Sequence, residues 1–321
     1  MSVFGLFFFV SVLSGSVYLV IAVAVEGLPP TVVAFVRAGL GASLLMPLAA
    51  ARGALAPLRD RGRSVLLLGT LEFAAPFVLV SAGAQWIASS LAGILMAAGP
   101  LLVVGLAVRF GVVERVTRTQ LVGLLIGMSG VIALLGLSVD GRPTELLGAG
   151  LVLLASSSFA AGALVLRRDF ADVSALGAVA GAMTAGALML ALPALAALPA
   201  IDHAPPTSTV LALVTLGVVH AAINYSLFFA LVGRLGAARA SVTSYVAPAI
   251  AVLLGVFFRG EAAGPGLVAG LLLVLLGSWL STGGRMPPGL VHARRTSRSA
   301  GHPRPQQPGW RTTTTRRLTP Q

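Results

Sequence analysis

Residues 69–100, GTLEFAAPFVLVSAGAQWIASSLAGILMAAGP, return without a gap as residues 217–248, GVVHAAINYSLFFALVGRLGAARASVTSYVAP, at an offset of 148. Identities are few, but the punctuation coincides: Gly69 meets Gly217 and Pro100 meets Pro248. Further out, Glu114 meets Glu261, Gly123 meets Gly270 and Gly130 meets Gly277, each at 147. Upstream, Arg37-Ala-Gly meets Thr184-Ala-Gly at 147 and Pro47 meets Pro193 at 146. One unit is therefore present twice.

Both copies are strongly apolar. The chain of 321 residues is 57% hydrophobic and 10% charged, far below the ~25% charged residues of a soluble domain. Crossing a ~30 Å hydrocarbon core takes about 20 apolar residues in a helix. Ten such segments follow one another at roughly 3–25, 31–51, 64–84, 88–109, 119–137, 146–167, 174–198, 208–232, 237–258 and 265–282. The first lacks a basic leader and a cleavage site before a soluble domain, so it is expected to be kept as a helix rather than removed as a signal peptide.

Arginine placement orients the segments. All 22 basic residues are arginine, a bias that reads as GC-rich bacterial background. With the N-terminus inside, the inner loops and the tail carry nineteen arginines, the outer loops carry only Arg142 and Arg259, and Arg37 lies within the second segment. Cytoplasmic loops collect positive charge, so both termini are expected in the cytoplasm. Five helices per copy is an odd number, and the second copy must then enter the membrane upside down. Loop charge agrees: the arginine-rich 52–63 loop corresponds to the arginine-free 199–207 loop. Inverted repeats of this kind hold their binding sites near the midplane, where the copies face each other.

The resulting fold class is an all-α integral membrane protein of ten transmembrane helices in two inverted five-helix repeats. Residues 1–138 form the first repeat and 144–283 the second, and 284–321 form a basic cytoplasmic tail expected to be disordered. That tail holds eight of the arginines that make up the net charge of +12. The body carries no basic stripe with interleaved aromatics, so no nucleic-acid partner is expected.

The residues resemble the drug/metabolite transporter superfamily, in its EamA-type branch with ten helices. The resemblance rests on Glu26-Gly-Leu-Pro-Pro-Thr with Arg37 downstream, Ala75-Pro-Phe, and Ala84-Gln-Trp-Ile-Ala-Ser-Ser-Leu-Ala-Gly-Ile-Leu. It continues through Gly99-Pro100, Glu114, Gly123 to Gly136, Arg234-Leu-Gly-Ala-Ala-Arg-Ala-Ser, and Ala247-Pro248 to Gly260-Glu261. Residues ~1 to 283 are covered. The resemblance implies secondary transport, frequently export, of small metabolites, amino-acid-like compounds or drugs. Members often carry a tryptophan before the glycine of the first helix. Here Ser14-Gly15-Ser16 stands instead, leaving Tyr18 as that helix's aromatic candidate.

Ionisable residues inside a bilayer mark pathways by default, and three stand out. Glu72 lies near the middle of the third segment, and its repeat mate is His220 in the eighth. Facing each other across a central cavity, they would make a proton-coupling site for a cationic or zwitterionic substrate. Alternatively, Glu72 pairs with Arg37 or caps a break near Pro76, and His220 is a packed hydrogen-bonding residue. Arg37 either snorkels to the outer headgroups or fixes a substrate carboxylate. Asn224 shares a helix face with His220. With Tyr225, Tyr245, Trp86 and Tyr18 it is a candidate for a mixed polar and aromatic pocket.

Hydroxyls in membrane helices are usually satisfied by their own i−4 carbonyls. Pro100 and Pro248 are expected to break the fourth and ninth helices as matched hinges. Gly123/Gly127, Gly177/Gly181 and Gly266/Gly270 have the spacing of close helix contacts. Glu114 and Glu261 are expected to form interfacial ion pairs beside Arg115 and Arg259.

No cysteine is present, which excludes thiolate metal sites and cysteine nucleophiles. No phosphate-binding loop or hydrolase constellation occurs, so no enzyme activity, metal or cofactor is expected. The expected partners are a small-molecule substrate and membrane lipids, with a homodimer left open. The competing class is a non-transporting membrane protein, a lipid-handling enzyme or a sensor scaffold that uses its basic tail.

Overall fold

The structure, a computed structural model, describes residues 2–109, 117–137, 142–235, 240 and 242–281. The tail 284–321 and Glu114 and Arg115 lie outside the described residues. Clustering sets a first unit, Met1–Leu290, apart from Val291–Gln321.

Every element among the described residues is helical. Helices α1 (Val3–Ala24), α2 (Pro30–Ala51), α3 (Gly62–Gly83), α5 (Arg118–Leu137), α6 (Pro143–Asp169), α7 (Ala175–Ala197) and α8 (Thr207–Leu235) run through the first unit. Between α3 and α5, α4 comes in two pieces, Ser89–Met96 and Gly99–Arg109. Among the described residues, eight helices are long and apolar enough to cross a membrane. The remaining two, α9 (Thr243–Arg259) and α10 (Pro265–Ser281), are apolar helices of 17 residues.

Local chemistry sets the ends. The Ser2 and Ser174 hydroxyls accept from the Gly5 and Gly177 amides at 3.1 and 3.2 Å, satisfying first-turn donors. Pro30 and Pro143 stand at the first position of their helices, where a missing N–H costs nothing. Gly260 closes α9 at φ 64°, a conformation that favours glycine.

Helix α2 packs along α7 and α5 along α10, while α1 lies on α9 and α4 lies between α6 and α9. At the α5–α10 contact the backbones nearly touch. A Cβ added at Gly277 would collide with the main chain of Gly123 and Gly127, the small-residue approach available to helices in lipid. Outward-facing side chains such as Leu192, Phe257 and Phe258 are more than 70% exposed, as lipid-facing positions require.

The helices are not uniform. In α3 the segment Thr70–Ala74 winds as a π-helix, and in α8 so does Thr215–Ile223. Shifting the first by 148 gives 218–222, inside the second. Such wide turns concentrate at functional positions. In α3 the cause is Pro76. The Ala75 amide bonds back to the Thr70 carbonyl, and Pro76 has no N–H to offer the Leu71 carbonyl in a π-turn. Ser158 of α6 fills the gap, its hydroxyl donating to the Leu71 carbonyl at 2.9 Å.

The same arrangement recurs at Pro100. Helix α4 is interrupted at Ala97–Ala98, where the amides form tighter bonds three residues back, and Pro100 begins the second piece. The Met96 carbonyl would have bonded the missing N–H of Pro100. It accepts instead from the Ser156 hydroxyl at 3.3 Å. The Ala97 carbonyl accepts from Ser278 of α10 at 2.9 Å. Pro248 behaves differently from expectation: α9 runs through it as one continuous helix. Proline removes a bond without always breaking a helix.

The three serines of α6 can therefore be separated by mutation. Ser158→Ala leaves a buried carbonyl unpaired and should cost about 1–2 kcal/mol. Ser157 donates to its own i−4 carbonyl, Leu153, at 2.9 Å, so Ser157→Ala should be near neutral. Unfolding of each variant in mild detergent measures the difference; equal stabilities would remove the assigned role of Ser158.

Candidate functional site

A cavity of about 510 Å³ is walled by α1, α4, α6, α8 and α9. It runs from Tyr18 and Gly93 past Pro100 and Pro248 to Thr243 and Ser244, and its lining is mainly apolar. Ser14, Tyr18, Ser156, Phe228 and Tyr245 contribute side chains to it. Gly93 matters here because a Cβ at this position would crowd the Tyr18 ring. Tyr245 is held by a hydrogen bond from its hydroxyl to the Ser278 carbonyl at 3.2 Å.

Beside this cavity lies a buried polar cluster. Arg37 is 8% exposed, which excludes snorkelling, and its guanidinium stacks over the Phe77 ring at 3.8 Å. Such stacking suits a desolvated cation. Its Nε has no hydrogen-bond partner, and among the described residues no carboxylate pairs with it. Tyr18, Tyr225 and His220 all lie within its field. An aromatic chain runs from Phe77 through Phe73, Tyr225 and Phe229, with ring centroids 5.6, 5.8 and 6.2 Å apart.

Glu72 stands in the π-turn of α3 with its carboxylate against Gly162 of α6, where any Cβ would collide with it. Among the described residues it forms neither an ion pair nor a hydrogen bond, so the alternative in which Glu72 pairs with Arg37 does not occur. Tyr225 lies near both charges.

His220 is buried, with Nδ1 at 3.1 Å from the Thr215 carbonyl and Nε2 at 3.0 Å from Ser16 Oγ. A carbonyl only accepts, so Nδ1 carries a proton and fixes the tautomer of the neutral ring. This ring thus adds a side-chain hydrogen bond to the first carbonyl of the π-turn of α8 and ties that turn to α1. The Asn224 amide donates to Ser14 Oγ at 3.3 Å, leaving its own Oδ1 buried and unpartnered. Ser14, Gly15 and Ser16 thus each have a task, since Gly15 meets the Ala247 carbonyl and Ile250 of α9 directly.

Of the residues singled out from sequence, Tyr18, Tyr245, Pro100 and Pro248 line the cavity. Arg37, Glu72, His220, Asn224 and Tyr225 sit in the adjoining cluster. Trp86 belongs to neither: it is 45% exposed at the turn before α4.

Sequence reasoning missed the role of Glu261. Rather than only pairing beside Arg259, which approaches it at 3.9 Å, it caps the start of α4. Ser89 donates through its amide and hydroxyl at 2.8 and 2.7 Å, and the Ser90 amide donates at 2.9 Å. Arg259 in turn holds Glu26 of the α1–α2 turn at 2.8 Å. A carboxylate on a helix N-terminus is favourable through the helix dipole. This cluster ties three turns together at the end of the bundle near Gly93. The opposite end has its own clasp, where Arg61 bonds Asp172 in bidentate fashion at 2.8 and 2.6 Å. That bond holds the Asp172 carboxyl below its usual range.

Burial pushes the Glu261 carboxyl up, but the hydrogen bonds from Ser90 and Ser89 outweigh it and hold the group below the usual carboxylate range. A lowered value stabilises the closed end at all pH above the ordinary carboxylate range, and the effect fades as pH falls through the lowered value. Glu261→Gln should loosen this end at neutral pH, with the difference from the unmutated protein shrinking as pH falls through the lowered value. With no native cysteine, a single Met96→Cys probe on the cavity wall reads the effect as faster labelling from the Glu261 side. Unchanged labelling in Glu261→Gln would show that the cap does not restrict access.

The EamA-like transporter family matches residues 1–136 and 146–283. The uncharacterized inner membrane transporter YedA of Escherichia coli (strain K12) is 32% identical over 263 residues, 80% of this chain and 83% of that protein. A probable terminal-alkyne amino-acid exporter of Streptantibioticus cattleyicolor is 31% identical over 248 residues, 73% of this chain and 80% of its own. A probable amino-acid metabolite efflux pump of Salmonella typhimurium is 27% identical over 197 residues, covering 59% and 64%. A crystal structure with 22% identity aligns over 88% of this chain and 97% of its own, with a TM-score of 0.62, and shares the fold.

Proposed function

The chain belongs to the EamA-like transporter family, and from that premise we propose that it exports small zwitterionic metabolites of amino-acid type across the bacterial cytoplasmic membrane by alternating access. The observation that carries this reading is the cavity of about 510 Å³ beside two opposite charges, the buried Arg37 and the half-buried Glu72, with no counter-ion among the described residues. An unpaired charge at depth is retained only where something compensates it. A zwitterion supplies both missing partners, its carboxylate to Arg37 and its ammonium to Glu72. The names of the Salmonella and Streptantibioticus relatives support the same class.

Architecturally, α9 and α10 count as crossings, giving ten in two inverted repeats, 1–138 and 144–283, with both termini cytoplasmic. Support comes from the matched π-turns, the pairing of α2 with α7 and α5 with α10, and the nineteen-to-two division of arginines. In this topology the cavity extends toward the cytoplasmic end, and the Glu26–Arg259–Glu261 cluster closes the outer one. Substrate enters from the cytoplasm, passes Tyr18 and Tyr245, and reaches the charges at mid-bundle. The interruption of α4 at Pro100 serves as the hinge. Pro248 frees the Ser244 carbonyl on the facing wall without breaking its helix. No nucleotide drives the cycle; either proton exchange at Glu72 or exchange of metabolites supplies the energy.

Proteoliposomes with an imposed pH gradient test the reading. Arg37→Gln is expected to slow transport of a zwitterionic amino acid roughly tenfold or more, since a charge-assisted bond is lost, and to spare the corresponding amide. Glu72→Gln is expected to abolish the dependence on the pH gradient. Unchanged pH dependence in Glu72→Gln would remove the coupling role, and equal loss for acid and amide would remove the carboxylate role of Arg37.

A further inference from the structure

A second cavity, of about 560 Å³, lies apart from the transport site, between the C-terminal part of α2, the start of α3 and α7. Met46, Leu58, Val65, Leu188 and Met189 line it, and the hydroxyl of Thr184 in its wall is already spent on the Ala180 carbonyl at 2.8 Å. The crevice therefore offers hydrocarbon and almost nothing polar. Its sides are open to lipid: Leu188 is 72% exposed and Met189 38%. Two flexible methionines suit an adaptable apolar occupant.

One lining residue is charged. Arg59 stands exposed in the crevice wall at the arginine-rich end of the bundle. Arg52 and Arg63 flank it on the same connection and are likewise exposed. Arg61, the fourth arginine there, is committed to Asp172 and to the Asp169 carbonyl. Arg52, Arg59 and Arg63 have no ion-pair partner among the described residues; Asp60 is the one carboxylate on their own connection, and Asp169 and Asp172 opposite it are taken by Arg168, Ser64 and Arg61. An apolar slot at membrane depth that rises to unpaired arginines has the polarity profile of an anionic phospholipid. Basic pockets between transmembrane helices on the cytoplasmic side take such headgroups.

We propose that this crevice is a binding site for one anionic phospholipid, with an acyl chain along Met46, Leu188 and Met189 and the phosphate at Arg59, supported by Arg52 and Arg63. Occupancy would brace α7 against the α2–α3 connection. The inference depends on membrane embedding and not on the nature of the transported substrate.

Leu188→Trp, a change at an exposed position, places a fluorophore in the crevice. In mixed micelles, phosphatidylglycerol with brominated chains is expected to quench it at a lower mole fraction than brominated phosphatidylcholine, after subtraction of the signal from protein lacking the added tryptophan. Adding Arg59→Gln should raise the half-quenching fraction of phosphatidylglycerol about fivefold, the equivalent of one arginine at an anionic surface. Arg52→Gln, Arg59→Gln and Arg63→Gln together should make the two lipids equal. Should the triple change impair insertion, Arg59→Gln alone decides. Thermal unfolding gives an independent reading: phosphatidylglycerol should raise the Tm saturably, and inorganic phosphate or glycerol phosphate should not. Equal quenching by both lipids in the unmutated background would overturn the proposal. So would an unchanged preference in Arg59→Gln, or stabilisation by phosphate alone.

Discussion

In hydrocarbon a backbone carbonyl without a donor costs several kcal/mol, and that constraint organises this bundle around its prolines. Pro76 and Pro100 each deprive a carbonyl of its partner, and each carbonyl is met by a hydroxyl from a neighbouring helix. Both hydroxyls come from α6, two residues apart. The helix that supplies them is thereby fixed in depth and rotation against α3 and α4. The cavity wall formed by Ser156 and Phe159 is set by the same two bonds. Where α8 has no proline, His220 supplies the donor to the Thr215 carbonyl and ties its other nitrogen to α1. The wide turns and their donors therefore determine where the site lies.

Charge follows a different rule. At both ends of the bundle acids and bases are paired, Arg259 with Glu26 and Arg61 with Asp172. At mid-bundle Arg37 and Glu72 remain apart, with Tyr225 near both. A protein built only for stability would let the two meet or replace them with apolar residues, since a buried pair seldom outperforms good packing. Phe77 and Gly162 instead give each charge its own berth, one a ring face and the other the absence of a side chain.

Much of this was legible in the sequence. Hydropathy located the helices to within a few residues because lipid imposes a length, and the wide turns, which the sequence did not announce, fall at places related by the offset of 148. The exceptions have specific causes. The π-turn of α8 has no proline to announce it, and the histidine within it was read from sequence either as a coupling group or as a packed hydrogen-bonding residue. Pro248 looked equivalent to Pro100, yet α9 absorbs the lost bond. Trp86 lies in a quoted motif but at a helix end, where an exposed ring needs no cavity. Glu261 was recognised as an interfacial acid, but its partners, Ser89 and Ser90, lie more than 170 residues away. Separations that long are invisible to periodicity. Depth in the helix left Arg37 open between snorkelling and a fixed charge in the cavity, and its stacking on Phe77 was not foreseen.

A serine has one further property at the α4 interruption. Its single hydroxyl proton can turn either to a neighbouring helix or to the carbonyl four residues back on its own helix, as Ser157 already does. If α4 swings about Pro100, Ser156 can release Met96 and turn to the Val152 carbonyl, keeping its donor engaged throughout. Only an acceptor is uncovered, and it faces a cavity that can hold water. A hinge at Pro100 would then have two seats for this hydroxyl, one that holds α4 and one that lets it move without leaving a stranded proton.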